Sequence, residues 1–370
     1  MSATISKVFL AGARVPKFRE WWVPEQSLLF RMERIFFEAG FDEIVNGKKV
    51  GIKPHMGEPG DVHYMRPVFL SRLVDIVREY GGDPVILETS GLGWLPGRTS
   101  GEKHLEAARK NGFSEKTMGA PIIMADGDYG LDTKEIDGMP IAKMFGEMES
   151  LIVLSHFTCH IQAGVGGAIK NLGVGCVSKA GKFMVHYHGY PEIVKSRCDK
   201  CGDCIEYCPM DAIKEYRIDQ VKCARCNVCL DICKRGAVRA ESKNPEQLAK
   251  QIALNASALG KLFKDKLGCI NLLTDIIPHC DCHPHSDIPF VPDIGILASK
   301  DPVAIDKCSI DLVNESPGIP LSAADDADAL KPGLDKFSLI NPQTNWRMQI
   351  ETSEHLGVGN QQYSLKEIKT

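Results

Sequence analysis

Apolar residues recur along this chain in two rhythms. In residues 26–40, Leu28, Leu29, Met32, Ile35 and Phe36 fall at helical spacing and Gly40 closes the run. Three-and-four spacing puts such residues on one face of an α-helix, and a glycine stops it. Residues 68–80 repeat the pattern through Phe69, Leu70, Leu73, Ile76 and Val77, then stop at Gly81 and Gly82. In residues 244–264, Asn244 is placed to cap, Pro245 to open the helix, and Leu248, Ile252, Ala256, Leu259 and Leu262 to form its buried face. Residues 102–111 and 301–313 read as further helices. Between them lie short apolar runs at 5–9, 49–53, 84–88, 121–125, 151–154, 269–275 and 293–298, bounded by turn-forming residues, which predict strands. Strands that alternate with helices predict an α/β fold with largely parallel sheets. The pattern divides into a first part, 1–190, and a second part, 242–370, of a two-lobed α/β domain. The last fifty residues are weakly patterned and predict little.

Residues 191–241 break the alternation. They hold Cys198-x2-Cys201-x2-Cys204-x3-Cys208 and then Cys223-x2-Cys226-x2-Cys229-x3-Cys233, eight of the fourteen cysteines in the chain. The second run repeats the first 25 residues on, and Ala212-Ile213 recurs as Ala237-Val238. This is the two-cluster bacterial ferredoxin spacing, in which the fourth cysteine of each run ligates the other cluster. One 4Fe–4S cluster is therefore expected on Cys198, Cys201, Cys204 and Cys233, and a second on Cys223, Cys226, Cys229 and Cys208. Paired zinc ribbons are the alternative, but these separate their Cys-x2-Cys pairs by a longer loop. Lys234 follows Cys233 where Pro209 follows Cys208, a departure that removes no ligand. The segment is predicted to be a small α+β ferredoxin-like module inserted between the two parts.

Composition narrows the chemistry. A net charge of −4, and basic residues interleaved with acids rather than aromatics, leave no general case for nucleic acid. No apolar run reaches the length of a membrane span, and the N-terminal stretch lacks the form of a signal peptide. A cytoplasmic protein is expected, in which cysteines serve metal and thiol chemistry rather than disulfides. Oxygen-sensitive clusters point to an anaerobic or low-oxygen host.

In open α/β sheets ligands bind at the carboxyl ends of the strands. Those ends carry Lys53 and His55, Glu88 with Gly91 and Gly93, Asp126 and Asp128, His156 to His160, and Ser299 with Asp301. Three constellations stand out. Gly164, Gly166 and Gly167 with Lys170 could cradle an anion or cofactor at a helix start, or serve close packing. Cys159 between His156 and His160 could be a thiolate with a base, or a buried core cysteine. Cys280 and Cys282, with His279, His283 and His285 nearby, could hold a metal or form a redox dithiol, or lie on a polar surface loop.

Several separated motifs resemble one family. They are residues 51–60 (GIKPHMGEPG), 154–158 (LSHFT), 166–176 (GGAIKNLGVGC), Asp281-Cys282 and 293–306 (DIGILASKDPVAID). The chain resembles the iron–sulfur-centre proteins in which a domain of unknown function carries an inserted two-cluster ferredoxin. The resemblance spans nearly the whole chain. It directs attention to Lys53, His156, Lys170, Asn171, Cys280, Cys282, Asp301 and Asp306. A more distant likeness to the lactate racemase fold implies two α/β lobes with a site between them.

The function expected from these residues is that of an iron–sulfur oxidoreductase. Single electrons would pass from a redox partner protein through two 4Fe–4S clusters to a site in the α/β body. There Lys53, Lys170 and Asn171 would hold a small anionic substrate, and His156, Cys159, Cys280 or Cys282 would supply the chemistry. The alternatives are an electron carrier or docking protein without catalysis, and a non-redox isomerase or transferase with structural clusters. The first strand lacks the Rossmann glycine fingerprint, so NAD is not indicated. A flavin, or an additional metal at Cys280 and Cys282, is compatible with the sequence.

Overall fold

Ser150–His156 is a strand with all seven residues buried. A strand covered on both faces is apolar throughout. Here Leu151 and Val153 enter one core and Ile152 and Leu154 the other. The computed structural model describes residues 5–15, 22–93 and 97–368. Residues 1–4 of the N-terminal stretch and 94–96 of the loop after Glu88 lie outside the described residues.

Eight strands form one sheet around this centre. They are β1 (Ser6–Gly12), β2 (Lys49–Lys53), β3 (Asp83–Glu88), β4 (Ile122–Met124), β5 (Ser150–His156), β6 (Leu267–Leu273), β7 (Gly295–Ser299) and β8 (Tyr363–Glu367). Their spatial order is β8-β1-β7-β6-β5-β2-β3-β4. Five of the seven neighbouring pairs are parallel. The strand β7 alone runs against its neighbours β1 and β6. The α/β class and the mostly parallel strands thus follow the alternation. The two parts of the domain share this sheet: β6 from the second part pairs with β5 from the first, Ile270 opposite Leu154.

Helices α1 (Leu28–Glu38) and α2 (Pro67–Glu79) cover one face through Met32, Phe36, Phe69 and Leu73. On the other face lie α3 (Lys179–His186), α4 (Pro245–Leu262) and α5 (Pro302–Glu315), which contribute Val185, Ile252, Leu259, Val303 and Ile305. Asn244 and Gln247 close a reciprocal capping box at the start of α4. Among the described residues no helix is long and apolar enough to cross a membrane.

The cysteine-rich segment leaves and re-enters the body at one place. Tyr187–Ile193 pairs antiparallel with Val238–Ser242, and the Val194 N–H donates to the Ala237 carbonyl at 2.8 Å. The sequence repeat is also a backbone repeat. Lys200 and Arg225, Gly202 and Asn227, and Asp211 and Gly236 are three pairs of left-handed residues, each at the same offset. The short helices Asp203–Glu206 and Val228–Ile232 follow the second pair.

Candidate functional site

The carboxyl ends of β2, β3 and β5 open into a cavity of about 360 Å³. Lys53 ends β2 and is buried. Its ammonium pairs with Glu88 Oε2, at the end of β3, at 2.9 Å. The same oxygen accepts the Thr89 N–H at 3.1 Å and lies 4.0 Å from His104 Nε2. Glu88 Oε1 is buried without a hydrogen-bond partner. Beside this group Arg98 pairs with Glu58 at 2.5 Å. Lys182, from α3, reaches the Thr89 hydroxyl at 2.8 Å and the Val177 carbonyl at 2.7 Å.

The opposite wall carries sulfur. Lys170 Nζ lies 3.4 Å from Cys280 Sγ. A hydrogen bond from Cys282, working against burial, together with the Lys170 ammonium holds the Cys280 thiol below its usual range. Cys282, half-buried, is pushed the other way by the Cys280 sulfur and by desolvation. The two thiols titrate as a pair, with Cys280 favoured to lose its proton first. Ligand atoms of Cys280, Cys282 and His160 lie within 4.8 Å of one another, close enough for a metal. His160 argues against that use. Its Nδ1 accepts the backbone N–H groups of Gln162 and Ala163 at 3.1 and 3.0 Å, which assigns the ring proton to Nε2. The ring then offers an N–H donor and no free lone pair. His55 is held in the same tautomer by the Gly57 N–H at 3.2 Å. Burial, more than the cations nearby, keeps both rings neutral.

Of the residues singled out by sequence, Lys53, His156, Lys170, Asn171, Cys280 and Cys282 line this cavity, as do Gly166 and Gly167. Cys159 does not. It packs in the hydrophobic core with no exposed surface, where burial pushes its thiol up. Strand alternation explains the difference: in Thr158–His160 adjacent side chains point to opposite faces, so His160 meets the cavity and Cys159 the core. The Asn171 amide is committed to the ends of two strands, donating to the Lys53 and Leu154 carbonyls and to Ser155 Oγ. The glycine-rich run does not present a free helix start. The Asp306 carboxylate already accepts the Ala168 and Ile169 N–H groups at 2.8 and 2.9 Å. A Cβ at Gly167 would lie 2.4 Å from that carboxylate, and one at Gly173 would lie 2.2 Å from the Ile252 carbonyl. The glycines serve close approach. Gly164, with positive φ, packs against Trp346. Ser299 and Asp301 sit at the opposite edge because β7 is antiparallel; Asp301 caps α5 and binds Ser6. Sequence reasoning missed Glu58, Arg98, Lys182 and the tautomers of His55 and His160. Lys182 had a signal, since it lies one helical turn before His186 on α3.

His156 lines the cavity with both nitrogens occupied. Nδ1 meets Asp281 at 2.8 Å and Nε2 the Thr274 carbonyl at 2.8 Å. Both partners accept, so the ring donates twice and is charged. Burial opposes the charge, but Asp281 and the carbonyl outweigh it and raise the imidazole to about 9. His156 thus positions Asp281 and the sulfurs flanking it, and is not a free base. A raised histidine stabilises the fold fully below its unfolded value near 6.5 and loses that contribution as pH rises through about 9. The span corresponds to ~3 kcal/mol. The thermal midpoint is therefore expected to fall between pH 6 and pH 10, and to fall less in Asp281→Asn. An equal drop in both proteins would refute the assignment.

The cysteines of 198–233 fall into two neighbourhoods. Burial pushes Cys204 up to about 11, and Cys198, Cys201 and Cys233 add to the effect. Cys229 is raised by burial, then by Cys226, Cys223 and Cys208, with Cys204 of the other set adding least. The Ala212 N–H donates to Cys208 Sγ at 3.3 Å and the Ala237 N–H to Cys233 Sγ at 3.2 Å, equivalent bonds in the two halves. Among the described residues, the segment meets the cavity wall at Gly93. The Gly93 N–H donates to the Cys226 carbonyl at 3.1 Å, and Gly91 and Leu92 line the cavity. Lys179, buried beside Cys226, holds the same loop through the Gly93 and Thr99 carbonyls at 3.3 and 2.6 Å.

No curated protein matches the sequence. Solved structures similar to it include the lactate racemase apoprotein from Thermoanaerobacterium thermosaccharolyticum, with a TM-score of 0.39 and 15% identity, covering 78% of this chain and 57% of that one. A Thermotoga maritima protein has a TM-score of 0.35 and 11% identity, covering 69% and 52%. The chain spans little more than half the length of either. Residues 50–311 match a family model described as a domain of unknown function, DUF362.

Proposed function

The chain belongs to the DUF362 family, and we propose that it is an iron–sulfur oxidoreductase that takes electrons from a redox partner protein and delivers them to the cavity at the ends of β2, β3 and β5. Cys198, Cys201, Cys204 and Cys233 would hold one 4Fe–4S cluster, and Cys223, Cys226, Cys229 and Cys208 the other. The donor set fits. Thiolate neighbourhoods of the right membership, repeated left-handed residues and repeated N–H···S bonds are what two equivalent cluster loops require. Such clusters supply single-electron transfer, with potentials tuned by hydrogen bonds to sulfur and by exposure.

The observation that carries the proposal is the bond from Gly93 to Cys226. It joins a cysteine loop to the loop that forms part of the cavity wall. In the cavity, Lys170 and the neutral N–H donors of His55 and His160 receive a small anionic substrate. Cys280 and Cys282 stand at the redox end. Lys53 is neutralised by Glu88 and orders that carboxylate. A carrier without chemistry of its own would not require so many buried charged groups around an open cavity, each costly to desolvate.

Anaerobic native mass spectrometry with iron and sulfide analysis tests this. About eight iron and eight sulfide per chain are expected, and Cys226→Ala is expected to lose about half of each. Zinc without acid-labile sulfide would refute the cluster proposal.

A further inference from the structure

Among the described residues, one cation of the cavity is hydrogen-bonded to no carboxylate, although Asp126 and Glu88 act on it from farther away. Lys53 is paired with Glu88, Arg98 with Glu58, and Lys170 faces the Cys280 sulfur. Lys182 is buried, lines the cavity, and bonds to two neutral acceptors, the Thr89 hydroxyl and the Val177 carbonyl. Among the described residues it forms no ion pair with a carboxylate. An ammonium has three hydrogens and these acceptors use two. A neutral amine satisfies both with its two hydrogens and keeps its lone pair. We propose that Lys182 is a nucleophilic amine that captures a small carbonyl compound bearing an anionic group, of the 2-oxo acid class, as an imine.

The surroundings favour the neutral amine. Burial lowers the ammonium to about 8; Asp126 opposes the shift and Lys53 adds to it. Desolvation beside a second cation is an established route to a nucleophilic lysine. The step balances without an external reagent. The amine nitrogen forms a bond to the carbonyl carbon, the carbon–oxygen bond breaks, and the oxygen leaves as water carrying the two amine hydrogens. Thr89 and Val177 release those hydrogens and orient the nitrogen. The choice of an anionic carbonyl compound rests on the substrate site proposed above, where Lys170, His55 and His160 supply donors to the second group. An imine also prepares the carbon to accept electrons, because its protonated form is more electron-poor than the parent carbonyl.

Borohydride trapping tests the proposal without turnover. Holoprotein is incubated with pyruvate, reduced with sodium borohydride, and mapped by peptide mass spectrometry. A reduced adduct on Lys182 is expected, at least ~10-fold above that on any other lysine, because surface amines are almost wholly protonated at pH 7. Lys182→Arg retains N–H donors for the Thr89 and Val177 acceptors but has no amine that can form the imine, and should lose the adduct while its thermal midpoint shows that it folds. Butanone, a ketone that lacks the anionic group, should label more slowly. No adduct, an adduct spread over surface lysines, an adduct that survives in Lys182→Arg, or faster labelling by butanone would overturn the proposal. Iron is counted in the same sample. Trapping does not depend on iron, so a missing cluster and a missing imine are separate outcomes.

Discussion

Iodoacetamide at pH 7 is expected to modify Cys280 far faster than any other cysteine outside 198–233, and Cys280→Ser is expected to abolish that fast phase. Two quantities set the rate, the thiolate fraction and access. Each unit by which a thiol falls below its ordinary value raises its thiolate fraction ~10-fold, while nucleophilicity falls ~3-fold, leaving a net gain of ~3-fold. Cys280 gains on this account through Cys282 and Lys170. Cys159, Cys176, Cys269 and Cys308 lose on it, since burial pushes all four thiols up. Access acts in the same direction, because Cys280 lines the cavity while those four are core residues. Together the two effects place Cys280 ~10²-fold or more ahead. Lys170→Met removes the ammonium 3.4 Å from the sulfur and should slow the reaction several-fold without abolishing it. Peptide mapping of the alkylated holoprotein decides. Equal modification of Cys280 and Cys159, or no effect of Lys170→Met, would remove Cys280 from the site's chemistry.

Asp306→Ala is expected to be among the most damaging single changes in the body, at ~3–5 kcal/mol. The Asp306 carboxylate has no exposed surface and accepts three hydrogen bonds, from the Ala168 and Ile169 N–H groups and from Asn271 Nδ2 at 2.8 Å. Alanine leaves the Ala168 and Ile169 N–H groups without this partner, takes one of the two acceptors of Asn271 Nδ2, which keeps Ser309 Oγ at 3.0 Å, and opens a void among them. Burial, opposed by Asn271 and the backbone donors, raises its carboxyl to about 6. A raised carboxyl makes the fold more stable as pH falls, because the folded state binds the proton more tightly than the unfolded one. The wild type should therefore lose part of its stability between about pH 4 and 6, and Asp306→Ala should lack that slope. Chemical denaturation at two pH values measures both effects. A loss under 1 kcal/mol would show that solvent or rearrangement replaces the carboxylate.

Residues that face the core declared themselves in the sequence, and those that face each other did not. The runs at 49–53 and 68–80 are apolar at fixed spacing because one solvent-free surface selects every position, and they became β2 and α2 with ends shifted by a residue at most. By contrast, β8 is an edge strand with four of its five residues exposed, and it carried no alternation to read. The antiparallel sense of β7 was also hidden. Strand direction depends on the connection taken through space, so Asp301 seemed to belong with Lys53 and in fact caps a helix at the far edge. Within the site, Lys53 was legible as a charged residue at a strand end, Lys170 through the glycine-rich run before it, and the cysteine pair through the density of ligand types around it. Lys182 and Arg98 were not, because a charged residue in a helix or loop is ordinarily solvated. Only packing shows that these two are buried.

The hairpin formed by Tyr187–Ile193 and Val238–Ser242 has a consequence for descent as well as for structure. The 44 residues from Val194 to Ala237 begin and end on adjacent rungs. A two-residue turn could close the same ladder, and the entropy of closing a loop grows only with the logarithm of its length. The segment is therefore portable. One genetic event could add it, delete it or exchange it for another segment while the sheet stays as it is. Such an exchange would have to refit the surfaces that the segment meets, among them Lys179, Tyr190 and Gly93. A Cβ there would lie 1.9 Å from Asp231, and the backbone is left-handed. Glycine at this position is therefore the condition on which the segment docks against this loop.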